Sequence, residues 1–178
     1  MPLPDEPTVS TDRPWTGRLL KIRVDTVRLH DGKTATREIV EHPGAVVIAP
    51  IDDQGRVLLV RQYRKAAEQE LLELPAGGLK PGEEPAAAAM REMQEECGCS
   101  ADTLQSLGGF YSAPGFCEEF LHLFLATGLH DDPLAADEDE NVEVELVALD
   151  DALQMIDDGT IRDAKTVAGL LRVARLLR

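Results

Sequence analysis

The sequence predicts a mixed α/β (α+β) protein, with a mixed β-sheet packed between helices. Three observations point there. Short alternating segments with hairpin turn signals fill the first part of the chain. A continuous apolar run, Gly44 to Ile51, has the make-up of a central strand. Two stretches, one after Pro85 and one from Ala164 to Leu177, repeat apolar residues at helical spacing. Strands and helices interleaved in this way bury one face of each on a shared core.

Residues 1–14 hold several Pro, Asp and Thr without a period, and read as a mobile arm. Residues 15–178 then read as one domain, long enough to carry its own core. Thr16 to Arg28 alternates, with Leu20, Ile22 and Val24 on one face and Lys21, Arg23 and Asp25 on the other. His30-Asp31-Gly32-Lys33 is a turn signal, and Thr34 to Glu41 is the returning strand of a 16–41 hairpin. Asp52-Asp53-Gln54-Gly55 turns the apolar run into a strand from Arg56 to Gln62. A shorter strand, Glu70 to Leu74, stops at Pro75.

A Gly-rich loop then enters a helix. Pro85 suits a first helical turn, where its missing N–H is not needed. Ala86 to Ala89 favour helix, and Gly98 is its C-terminal stop. Ala86, Met90, Met93 and Cys97 recur at helical spacing and are expected to face inward. Leu104 to Tyr111 and Glu119 to Ala126 read as strands on either side of the loop Ser112 to Phe116. Asp131 to Asn141 reads as an acidic loop, and Val142 to Leu149 as a strand. Asp150 reads as the N-cap of a short helix ending near Gly159. The last helix, Ala164 to Leu177, is expected to turn Val167, Leu170, Leu171 and Ala174 inward.

Charge narrows the function. The chain has 33 acidic residues against 18 Lys and Arg, a formal net charge of −15. Binding to a nucleic-acid backbone needs a basic footprint, so that class is set aside. An acidic protein gathers cations, and a phosphate-bearing substrate would need metal and local Arg to enter. The sequence has no apolar run of membrane-spanning length and no signal-peptide pattern. Cys97, Cys99 and Cys117 have neither disulfide-framework nor zinc-site spacing. A cytoplasmic protein with no membrane partner is expected. The four His (His30, His42, His122, His130) show no metal or triad spacing. Trp15 has two readings, an anchor for the first hairpin or a surface that stacks on a nucleobase, and both stay open.

The stretch Gly77 to Cys99 carries the chemistry. Glu83, Arg91, Glu92, Glu95, Glu96 and Gly98 follow Gly77 in one fixed register. Glu92 and Glu96 are four apart on the helix, so their carboxylates lie one above the other. Left alone they repel, and a cation between them relieves this. Carboxylate oxygens working with a diphosphate are a usual way to hold magnesium or manganese. Arg91 and Glu95, also four apart, can pair. A solvated acidic face is the plain alternative for any single Glu pair in such a chain. Seven fixed positions at roughly one in fifteen each match by chance on the order of once in a hundred million starting points.

This stretch resembles the Nudix box: Gly, five residues, Glu, seven residues, then Arg-Glu-aliphatic-x-Glu-Glu-x-Gly-aliphatic. Counting from Gly77 matches every charged position; counting from Gly78 fails at the Arg. Met93 fills an apolar slot, and Cys99 stands where an aliphatic residue is usual, as a small hydrophobe can. Over nearly its full length the chain is similar to ADP-ribose pyrophosphatases of that superfamily. Arg37-Glu38-Ile39-Val40-Glu41-His42-Pro43-Gly44, Arg61-Gln62-Tyr63-Arg64, Leu72-Glu73-Leu74-Pro75-Ala76-Gly77, Pro114 beyond the box, the acidic loop and Asp163-Ala164-Lys165-Thr166 carry the likeness.

The resemblance implies the Nudix fold and metal-dependent hydrolysis of ADP-ribose, or another nucleoside diphosphate sugar, to AMP and ribose 5-phosphate. It implies Mg2+ or Mn2+, two or more ions, held by Glu92 and Glu96 with Glu95 in support, the carbonyl of Ala76 and Glu140. Glu138 matches the position of the base; Glu138 and Glu140 could exchange roles. Arg91 would orient the helix acids. Arg64 would meet the phosphates or terminal ribose, Arg37 and Glu38 the nucleoside side, with Glu73, Gly77 and Pro114 also lining the substrate. Relatives of this type form homodimers in which N-terminal strands cross to the partner, so the 16–41 hairpin is expected to be exchanged. A hydrolase of a different nucleotide sugar or of a damaged nucleotide, and a Nudix-fold sensor without activity, are the alternatives.

Overall fold

A computed structural model describes residues 5–135 and 141–177. The chain divides into two compact units. One holds the chain up to Gly44 together with Tyr111–Phe120; the other holds Ala45–Phe110 and the chain from Leu121 onward.

The first unit is built on an antiparallel sheet of β1 (Thr8–Thr16), β2 (Lys21–Arg28) and β3 (Thr34–Glu41), in that order. The predicted hairpin is β2–β3, in unbroken register from Lys21↔Glu41 to Arg28↔Thr34. Gly32, at φ +84°, makes its turn possible. The mobile-arm reading is corrected from Thr8 onward. That segment pairs with β2 from Thr8↔Val27 to Thr16↔Lys21, with register shifts on both sides of the Ser10–Asp12 stretch. Pro14 falls within the second shift, and an edge strand tolerates its missing N–H. Every residue of β1 is exposed, so there was no apolar alternation to reveal it. Trp15 folds back on the β1–β2 connection, where a Cβ on Gly17 would stand 2.1 Å from its indole. That contact favours the anchor reading.

The second unit contains the sheet β7-β4-β9-β8 and the sheet β10-β5-β6. β4 (Ala45–Pro50) is buried throughout, which explains its unbroken apolar run. It pairs in parallel with β9 (Phe120–Asp131) and antiparallel with β7 (Ala76–Gly78), while β8 (Cys99–Tyr111) lies beyond β9. β5 (Arg56–Arg64) lies between β10 (Val142–Ala148) and β6 (Gln69–Glu73). The helices are α1 (Pro85–Cys97), α2 (Leu149–Asp157) and α3 (Ala164–Leu177). Val46 and Ile48 of β4 pack in one core with Ala88, Ala89 and Met93 of α1. Val47 and Ala49 pack in another with Leu170 and Val173 of α3 and Ala152 of α2. Sheet between helices is therefore the arrangement, as the sequence predicts.

Several local expectations shift. Part of the Gly-rich loop is the short strand β7, held by pairing with β4. β8 starts at Cys99, directly after α1, and β9 runs on to Asp131. The buried stripe of α1 is Ala88, Ala89, Glu92, Met93 and Glu96; Ala86 is exposed, and Met90 and Cys97 are half-buried. α2 begins at Leu149, so Asp150 sits in its first turn, where a carboxylate favours the positive helix end, rather than at the cap. On α3, Leu171 is exposed, and Val173 takes the inward place beside Ala174. No helix among the described residues is long and apolar enough to cross a membrane.

Candidate active site

α1 turns two carboxylates inward. Glu92 is 7% exposed and Glu96 6%. A buried charge needs partners, and short local geometry supplies them. The amide of Ala76 donates to Glu96 Oε2 at 3.0 Å. Arg91 Nη1 donates to Glu92 Oε1 at 2.6 Å. Gly77 makes room: a Cβ there would stand 2.0 Å from Glu92 Cδ and 2.1 and 2.3 Å from its oxygens. The glycine is required by this close approach, not by an unusual backbone angle, since it lies in β7.

Arg91 organises the acids around α1. Its Nε and Nη2 each donate to Glu83 at 2.9 Å, its Nη1 to Glu92 and, at 2.8 Å, to Glu95, and its Nη2 to the carbonyl of Gly78 at 3.3 Å. One guanidinium among three carboxylates is held firmly in its charged form, chiefly by the bond to Glu83. Glu83 in turn is held down to about 2 by the Arg91 hydrogen bonds. Its Oε2 also accepts the amide of Lys80, which ties the loop to the helix. Burial pushes the Cys97 thiol well up, so it is an unreactive packing group.

A second charged cluster sits where β6 meets α3. Glu73 is fully buried. Arg64 grips it with two bonds, Nε to Oε1 at 2.8 Å and Nη2 to Oε2 at 2.7 Å. Lys165 Nζ donates to the same Oε2 and lies 3.0 Å from Asp163 Oδ2. Asp163 caps α3 by accepting the amide of Thr166 at 2.9 Å. The Thr166 hydroxyl donates to Asp163 at 2.6 Å and accepts the amide of Leu74 at 2.8 Å.

Arg37, Glu38 and Pro114 belong to the first unit. Arg37 is paired with Glu6, Nε to Oε2 at 2.8 Å and Nη2 to Oε1 at 2.6 Å. Glu38 is exposed on β3, and Pro114 is exposed in the turn closed by Ala113. Glu138 and Glu140 lie outside the described residues. The structure also brings in residues that no motif flagged. Gln94 Nε2 donates to Asp132 Oδ2 at 2.8 Å, the amide of Asp132 to the Gly98 carbonyl at 3.0 Å, and the amide of Leu134 to the Gln94 carbonyl at 3.2 Å. The chain leaving β9 is thereby stitched to the end of α1.

Among the described residues, no group of three or more His, Cys, Asp or Glu side chains gathers as a metal cluster. The donors present still fit a hard divalent cation. Glu92 and Glu96 are carboxylates stacked at one end of β7, and only a glycine at 77 leaves space for the first of them. Magnesium keeps several waters and needs only one or two carboxylates besides substrate oxygens.

Residues 40–170 match the NUDIX domain family. The chain belongs to the Nudix family. It is 42% identical over 164 residues to an ADP-ribose pyrophosphatase of Bacillus subtilis, covering 91% of this chain and 89% of that one. It is 43% identical over 165 residues to a methanol dehydrogenase activator of Bacillus methanolicus, covering 92% and 89%. The crystal structure of an ADP compounds hydrolase superposes on this Nudix chain with a TM-score of 0.89 at 25% identity, over 99% of this chain and 96% of the other. The described strands and helices are thus those of a Nudix hydrolase.

Proposed function

We propose that this Nudix hydrolase cleaves the diphosphate of ADP-ribose, or of a related nucleoside diphosphate sugar, to AMP and the sugar phosphate. The observation that carries the reading is the close approach of Glu92 to Gly77, framed by an Arg91 that binds Glu83, Glu92 and Glu95. Glu92 and Glu96 would hold Mg2+ or Mn2+ with the carbonyl of Ala76, with Glu95 in support. When bound, the cation neutralises charge developing on the diphosphate and acidifies water. Arg91 does not touch substrate; it holds Glu83, Glu92 and Glu95 in place. Glu138 takes the proton from the attacking water, or Glu140 does, with the other completing the ligand set. The water oxygen joins one phosphorus as the bridging P–O bond breaks. Arg64 contacts a phosphate with the guanidinium edge that Glu73 leaves free, and Glu73 acts by fixing Arg64. By the likeness to ADP-ribose pyrophosphatases we assign Arg37, Glu38 and Pro114 to substrate binding, Arg37 and Glu38 on the nucleoside side.

We assign a cytoplasmic homodimer in which the N-terminal sheet, 16–41 with β1, is exchanged and residues 15–178 otherwise form one domain. A strand exposed along all nine of its residues supports a partner there. Light scattering on the purified protein reads the oligomer directly, and a monomer at micromolar concentration sinks that part. The test of the activity is a panel of ADP-, GDP- and UDP-linked sugars with Mg2+, scored by which nucleoside monophosphate is released. Release of AMP from ADP-ribose well above the other products is expected. Preference for a GDP- or UDP-sugar would move the substrate assignment, and no hydrolysis of any would favour a sensor.

A further inference from the structure

We propose that Lys165 is a positioning residue for Arg64, acting through the carboxylate of Glu73. What Arg64 contacts, a substrate phosphate, rests on the functional reading above.

Glu73 is shared. Arg64 occupies both of its oxygens from one side, so the plane of the carboxylate sets the plane of the guanidinium. If Glu73 turns, Arg64 turns with it. Lys165 meets the carboxylate from α3, 92 residues further along the chain. Its own place is fixed by Asp163, which also holds the amide and the hydroxyl of Thr166. The anchor of Arg64 is therefore the first turn of a helix, not a loop. Exposure follows the same order: the side chain of Glu73 is 1% exposed, that of Lys165 13% and that of Arg64 41%. The inner members are shielded and the outer one meets solvent.

Charge argues the same way. Arg64 and Lys165 are the two cations set against the carboxylates of Glu73 and Asp163. Without Lys165 the cluster carries an extra negative charge beside the edge of Arg64 that faces outward. Looser geometry and a more negative field both weaken anion binding at Arg64. Both act first at Arg64, although the charge of Glu96 also reaches it. The loss should therefore fall on KM and spare kcat.

The test is a double-mutant cycle of Lys165→Met and Arg64→Gln on the full chain with ADP-ribose and Mg2+, with exchange of the Arg64 Nε proton followed by NMR without substrate. Lys165→Met is expected to raise KM about tenfold, with kcat within about threefold. In the Arg64→Gln background it should change KM by less than about twofold, because the group it positions is gone. The Nε proton, slowly exchanging behind Glu73, should exchange at least about tenfold faster. Additive KM penalties, or Nε exchange unchanged by Lys165→Met, would overturn the proposal. Should Lys165→Met not fold, Lys165→Ala also removes both the donor to Glu73 and the charge, and the same readouts apply. If the wild type does not cleave ADP-ribose, the functional reading fails and the proton-exchange arm alone decides the positioning claim.

Discussion

Gly77→Ala separates the stability of this protein from its chemistry. The added Cβ would stand 2.0 Å from Glu92 Cδ, whereas a Cβ needs about 3.0 Å to its nearest heavy atom. The carboxylate must therefore retreat by about 1 Å, the scale at which a misplaced group can cost roughly 10²-fold in rate. It is the far end of a flexible side chain, so the fold can accept the move. The main loss to stability is a strained Arg91–Glu92 bond, now 2.6 Å long. That is about 1–2 kcal/mol, or about 2–8 °C in Tm for a chain of this length. Gly78→Ala is the control, because a Cβ there meets nothing within 4 Å. Thermal melts and kcat/KM at several Mg2+ concentrations, run on both variants, read the two effects. Gly77→Ala should melt about 2–8 °C below the control and turn over about 10²-fold more slowly. Equal activity in the two variants, or a Gly77→Ala protein that loses stability but not activity, would refute the reasoning.

Glu92→Gln and Glu138→Gln should each cut turnover by at least about 10²-fold while the far-ultraviolet circular dichroism stays native; full activity in both would remove the mechanism. Glu83 gives a pH signature. Its carboxyl is held down to about 2 against the usual 4.5, so its contribution to stability is whole above about 4.5 and is lost as pH falls from there to about 2. Glu83→Gln should therefore cost on the order of 2 kcal/mol at pH 6 and flatten the acid limb of the stability curve over that window; an unchanged limb would deny the Arg91 pairing. Thr166→Val leaves the buried Leu74 amide without its acceptor and should cost on the order of 2 kcal/mol, read as a Tm drop of about 4–8 °C.

The box was legible because its information is spacing. A helix turns any sequence offset of four into neighbours, so Glu92 over Glu96 and Arg91 on Glu95 could be drawn before any coordinates, and Arg91 does bind Glu95. The direction in which those acids point was not legible. Counting apolar residues sends carboxylates to solvent, yet Glu92 and Glu96 are buried, and Ala86 is the exposed member of the expected inward stripe. The partners that permit this, the Ala76 amide and the space above Gly77, lie on another element. β1 was missed for the opposite reason: nine exposed residues leave no periodic trace. Lys165 and Glu73 sit 92 residues apart, so nothing local announces their contact. The likeness of Asp163-Ala164-Lys165-Thr166 to its family marked the segment without saying what it holds.

The central claim is that the stacked acids of α1 grip a divalent cation. Mn2+ binding followed by electron paramagnetic resonance, on the wild type and on Glu92→Gln and Glu96→Gln, measures that grip without relying on turnover. Saturable binding to the wild type, weakened at least about tenfold in each variant, is the predicted result. Equal Mn2+ affinity in all three proteins would contradict it.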